Sequence, residues 1–163
     1  MSSRRLVVIA IGVGSCLALA STMACSRDEA ALVTPRDGTW TASSESTSNT
    51  CSAQTTVEAT LSMFFIDYDS GDSFQIERGN TPDIVCEIDG YDFVCPDYEL
   101  TTFDIAGFAA TLVWDLRIEG TFDSETRASG EERVEVSCVG EDCNLLDDVP
   151  CAQVRSFEIT FAG

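Results

Sequence analysis

The chain has no lysine and no histidine among its 163 residues, and its nine basic residues are all arginine against 28 Asp and Glu. Without an imidazole there is no Ser-His-Asp triad, and without an ammonium there is no Schiff-base chemistry. A net charge of −19 repels phosphate backbones and anionic lipid surfaces, which excludes nucleic acid as a partner. Beyond the N-terminal apolar run no stretch keeps a helical period, so no Gly-rich loop opens a helix onto a phosphate. Carboxylates are so numerous that no pair of them singles itself out for glycoside hydrolysis. These exclusions predict a protein that is not an enzyme and carries no cofactor.

What is present begins with a leader. Met1-Ser2-Ser3-Arg4-Arg5 precedes an apolar run from Leu6 to Ala20, and a positive n-region before an apolar h-region is the form of an export signal. As a membrane span, Leu6–Ala24 has 19 residues, near the short end of the roughly 17–25 required.

The segment "LALASTMACSRDEA" ends that run on Cys25. Thr22-Met23-Ala24-Cys25 resembles the lipobox of bacterial lipoproteins, with Thr22 where that pattern usually has Leu. Val13-Gly14-Ser15-Cys16 resembles it more closely but would leave "LALA" just after the cut and only a short apolar run before it. Parity favours Cys25. The chain has eight cysteines, and lipidation of Cys25 removes Cys16 with the leader and leaves an even set of six. The resemblance implies a signal peptide over 1–24 and attachment to a bacterial membrane through lipid on Cys25. A single acyl chain holds a protein only marginally, at about 10⁴ M⁻¹, whereas the several chains of such a lipoprotein hold it firmly.

Export exposes thiols to oxidants, so Cys51, Cys86, Cys95, Cys138, Cys143 and Cys151 are predicted to form disulfides. Zinc ligation lacks both paired C-x-x-C knuckles and histidine. Three of the six lie before residue 100 and three after it, so a closed set needs at least one bridge between the halves. The expected pairing is Cys86–Cys95, Cys143–Cys151 and Cys51–Cys138. Cys86 faces Cys95 if Gly90-Tyr91 form a two-residue hairpin loop, and lies diagonal to it if Asp89-Gly90 do.

Residues 25–37, charged and broken by Pro35, read as a tether, and 38–163 as one domain. Period-two alternation recurs there. In 56–65, Val57, Ala59, Leu61, Met63 and Phe65 share one side. Leu112, Trp114, Leu116 and Ile118 do so in 111–118, Val134, Val136 and Cys138 in 133–138, and Phe157, Ile159 and Phe161 near the end. Hairpin chemistry separates these runs: "DYDSGDS", "IDGYDF" and "DSETRASGEE". The expected fold is all-β, an antiparallel meander closed as a small barrel or, second, folded as a β-sandwich. Gly38-Thr39-Trp40 resembles the Gly-x-Trp at the first strand of lipocalins, which implies the closed barrel.

Asp67, Asp69 and Asp72 in "DYDSGD" are the candidate metal ligands. An EF-hand loop counted from Asp67 would need glycine sixth and glutamate twelfth, and Gly71 and Glu77 fall fifth and eleventh, so hairpin-turn carboxylates are the simpler reading. Glu141, Asp142, Asp147 and Asp148 form a second acidic cluster among the cysteines. Trp40, Phe64, Phe65, Tyr68, Phe93, Phe103, Trp114, Phe122, Phe157 and Phe161 are expected to fill the core. The function that follows is a lipid-anchored domain outside the cytoplasm with a binding or structural role at the cell envelope. Its partner would be an envelope protein or a small ligand. The alternatives are a carrier holding an apolar ligand in a barrel cavity and a Ca²⁺-stabilised adhesion module that takes divalent cations.

Overall fold

The structure, a computed structural model, describes residues 33–68, 71–79 and 81–163. The leader, Cys16, Cys25, most of the tether and Asp69 lie outside the described residues. Eight strands follow one another as an antiparallel meander and close as a barrel, the last strand pairing with the first. In order they are β1 (Gly38–Asn49), β2 (Met63–Asp67), β3 (Ser73–Arg78), β4 (Thr81–Asp89), β5 (Asp92–Asp104), β6 (Thr111–Ser124), β7 (Arg127–Val139) and β8 (Cys151–Phe161). The barrel, not the sandwich, is the architecture. A closed meander leaves no free sheet edge, which an acidic single-face alternation alone does not guarantee.

Up-and-down connection gives the barrel two unlike ends. At the base lie the turns β2–β3, β4–β5 and β6–β7, and there the chain enters: Val33 N–H donates to Gly90 O and Arg36 N–H to Glu125 O. At the other end, the mouth, lie the connections 50–62, 105–110 and 140–150 and the short β3–β4 turn.

Aromatic rings fill the base. Trp40 is fully buried, meets Phe122 and Phe161 edge-on at 6.3 and 5.8 Å, and donates its indole N–H to Arg36 O. Phe74, Phe93 and Phe122 pack together at centroid distances of 4.9 to 5.7 Å. Two glycines opposite each other on β6 and β7, Gly120 and Gly130, leave the room these rings occupy. A Cβ on Gly120 would lie 2.5 Å from the Phe93 ring, and one on Gly130 would lie 2.6 Å from the Phe157 ring. The inward rows of β6, β7 and β8 are those the alternation predicts: Leu112, Trp114, Leu116 and Ile118, then Val134 and Val136, then Phe157 and Ile159 are buried, while Cys138 and Phe161 at the ends of their rows are half-buried.

Three expectations need correction. First, residues 56–62 are not strand: β2 begins only at Met63, with Phe64 and Ile66 inward and Met63 and Phe65 outward. The partner row decides this phase, because inward Trp40 registers with Phe64 and residues directly opposite share a face. Second, "DSETRASGEE" is mostly strand, since β6 and β7 run on until Ser124 faces Arg127 across a tight turn. Third, the aromatics differ: Phe65 and Phe103 are exposed, and Phe74 joins the core instead.

The disulfides are Cys86–Cys95, Cys51–Cys151 and Cys138–Cys143. The first matches the expectation, with Asp89 facing Asp92 around a Gly90-Tyr91 loop in which Gly90 takes φ +67°. The other two exchange partners relative to it. Barrel closure is the reason: β1 borders β8, so Cys51 emerges beside Cys151, and a bond to Cys138 on β7 would have to reach past β8. Cys138 closes instead on the short helical turn Cys143–Leu145. Cys51–Cys151 is the bridge that joins the halves of the chain.

Candidate functional site: the barrel mouth

The mouth is built around an ion pair inside the barrel. Glu132 falls on the inward phase of β7 with Val134 and Val136, and Arg155 on that of β8 with Phe157 and Ile159; the two are register partners. Arg155 Nη1 donates to Glu132 Oε1 at 2.9 Å, and the Glu132 side chain is 2% exposed. A buried pair of this kind is tolerable only when its remaining valences are satisfied. Here the β1–β2 connection satisfies them. Thr60 N–H donates to Glu132 Oε2 at 3.0 Å, Leu61 N–H at 3.3 Å, and the Thr60 hydroxyl also donates to it. The Arg155 guanidinium donates to the carbonyls of Val57 and Glu58. Gln153 accepts from Val57 N–H at 2.9 Å.

Residues 50–62 therefore form a strap drawn down into the barrel, not a free loop. Trp114 Nε1–H donates to Thr55 O at 3.0 Å, and Cys51–Cys151 fastens the strap at its start. Within the strap, Thr55 and Leu61 are buried. Side chains and strap thus occupy the interior where an enclosed ligand would sit.

Between the strap and the connections 105–110 and 140–150 runs an open groove of about 400 Å³. Ile105, Leu112, Leu146 and Val149 give it an apolar floor, Ser52 and Thr55 form the strap wall, and Asp147 and Asp148 stand on the rim. Leu145, 58% exposed, lines it as well; Phe108 within the 105–110 connection and Phe103 at the end of β5 are also exposed, at 48% and 60%. The opposing walls are tied down. Cys138–Cys143 holds the β7–β8 connection, and Ala109 N–H donates to the Asp142 carboxylate at 2.7 Å.

Of the acidic cluster of the β7–β8 connection, Asp147 and Asp148 stand on this rim, while Asp142 accepts from Ala109 N–H and Glu141 does not line the groove. Asp67 and Asp72 lie at the opposite end beside the chain entry, and Asp69 is outside the described residues. Among the described residues no three Cys, Asp or Glu side chains are grouped to hold a metal ion. On the outer wall, Arg117 pairs with Glu119 and with Asp97, and Arg133 with Glu135. The hydrogen bond that Arg117 donates to the Glu119 carboxylate raises the Arg117 pKa above its ordinary value.

Arg78 is the odd member of the interior. It points inward from β3 with its guanidinium carbon 5.7 Å from the centre of the Tyr98 ring, and among the described residues its Nε and Nη2 have no hydrogen-bond acceptor. Burial lowers its pKa, with the nearby Tyr98, Glu132 and Asp83 acting against that shift.

No protein-family model matches this chain, and neither a curated protein nor a solved structure proved similar to it.

Proposed function

We propose that the protein is a lipid-anchored domain outside the cytoplasm, with a non-enzymatic binding role at the cell envelope and a bacterial membrane attachment through Cys25. The observation that carries this reading is the opposition of the two ends. The described chain begins at the base, hydrogen-bonded to the β4–β5 and β6–β7 turns, while the groove opens at the mouth. A domain tethered from its base would offer the mouth to the space beyond the membrane. Three disulfides support an oxidising compartment, as an exported chain would meet. The filled interior favours binding at the mouth over an apolar ligand carried inside the barrel.

Metabolic labelling with an alkynyl fatty acid, followed by intact-mass spectrometry of the membrane-extracted protein, tests the anchor. The expected product starts at Cys25, carries lipid there, and has its six remaining cysteines oxidised. Cys25→Ser should lose the label and leave the membrane fraction. An unlabelled product with its leader attached and its thiols reduced would overturn the reading.

A further inference from the structure

We propose that the mouth groove is a docking site for a cationic, apolar segment of a partner protein, a stretch that combines Lys or Arg with Leu- or Phe-sized side chains. This rests on the extracytoplasmic binding role and says what is bound. The apolar half of the match is the floor of Ile105, Leu112, Leu146 and Val149 with exposed Leu145 beside it. An opening of about 400 Å³ admits one or two large side chains, not a whole folded surface. The polar half is charge. The three connections that frame the groove carry Glu58, Glu141, Asp142, Asp147 and Asp148 and not one arginine, and the chain has no lysine or histidine anywhere. A segment bringing positive charge to Asp147 and Asp148 would gain from this field, and its apolar side chains would cover Leu145.

The same field excludes the other occupants. A second copy of this chain would bring carboxylates against carboxylates, and an anionic lipid surface would be repelled likewise. The groove is also prepared for binding. Its strap wall is fixed by Glu132, Arg155, Trp114 and a disulfide, and its facing wall by Cys138–Cys143 and Asp142, so little ordering cost remains.

Trp114 and Trp40 provide the test. They are the only tryptophans, and their indole N–H groups lie at opposite ends of the barrel, bonded to Thr55 O and Arg36 O. The probe is an amphipathic Leu/Arg dodecapeptide, titrated at physiological salt into the full chain carrying Cys25→Ser, which keeps the leader for export. The expected result is saturable binding that shifts the Trp114 indole resonance and leaves that of Trp40 in place. The double variant Asp147→Asn/Asp148→Asn and the single variant Leu145→Ser should each weaken it by about tenfold. Glu87→Gln/Asp89→Asn removes the same charge near the base and should leave the affinity within about twofold.

Equal losses from both double variants, or a shift of Trp40 with Trp114, would mean diffuse attraction to an acidic protein and would overturn the proposal. So would equal binding of a Gly/Arg peptide lacking apolar side chains. Binding of phosphatidylcholine vesicles without response to the peptide would overturn it in favour of a membrane surface. Lipid on Cys25 is read separately, so a failed anchor leaves the groove result interpretable, and a failed groove leaves the anchor.

Discussion

Glu132 and Arg155 face each other across the β7–β8 ladder inside the barrel, and together they accept from and donate to the backbone of a segment more than 70 residues away in sequence. The pair is therefore the clasp of the strap. Glu132→Ala would leave the Arg155 charge buried and would strip Thr60 and Leu61 N–H of their acceptor. Breaking a buried pair from one side costs about 3–5 kcal/mol. Thermal unfolding should fall by about 10 °C or more, with new protease cleavage within 50–62 and a moved Trp114 indole resonance. A Glu132→Leu/Arg155→Met double variant should lose less than Glu132→Ala. If both lose equally, the pair is not what holds the strap.

The bridges should differ in weight. Cys51–Cys151 closes a loop of 100 residues and Cys86–Cys95 one of 9. In the chain-entropy account these correspond to about 5 and about 3 kcal/mol. Replacing Cys51 and Cys151 together by Ser should lower the denaturant midpoint further than replacing Cys86 and Cys95 together, and it alone should loosen the mouth. Equal midpoints would show that the strap keeps its place through the Glu132–Arg155 network alone.

Much of this was legible in the sequence, and the parts that were not share a cause. The strands β6, β7 and β8 follow from alternation because each has one wet and one buried face along its whole length. Even the clasp left a trace there, since Glu132 and Arg155 interrupt apolar inward rows with opposite charges. Barrel closure was expected too, but it is the β1·β8 contact that selects the partner of Cys51, and no local pattern encodes it. The phase error at 56–65 arose because Val57 and Leu61 are apolar for another purpose: they line a strap packed against the core, not a strand. The groove escaped notice because its floor and rim come from connections far apart in the chain.

The two opposed glycines separate crowding from backbone conformation. A Cβ on Gly130 would meet the backbone of Glu119 and lie 2.7 Å from Gly120 Cα, atoms that cannot yield without opening the ladder. Gly130→Ala should therefore cost about 2–3 kcal/mol as overpacking. Gly71, with nothing within 4 Å among the described residues and φ +93°, isolates the other effect, and Gly71→Ala should cost about 1 kcal/mol. Urea unfolding of the two variants gives the comparison. A smaller loss at Gly130 than at Gly71 would mean that the aromatic base relaxes and that the glycines are not required by its packing.

Arg78 gives the opposite sign. Among the described residues its Nε and Nη2 are buried without an acceptor, while Glu132, the buried carboxylate among its charged neighbours, is already engaged by Arg155 and the strap. Leaving such donors unsatisfied costs about 1–3 kcal/mol, so removing them should help. Methionine keeps the length of the side chain and can rest on the Tyr98 ring. Arg78→Met is expected to raise the unfolding free energy by about 1 kcal/mol, most clearly at high salt, where the screened attraction to Asp83 counts least. Burial lowers the Arg78 pKa, and a lowered pKa on a cation means that its charged form is disfavoured in the fold; the penalty is present across neutral pH, where the guanidinium stays charged. The gain from Arg78→Met should accordingly be flat between about pH 5 and 9. A loss of stability instead would mean that the guanidinium has acceptors, such as buried water, that hold it in place.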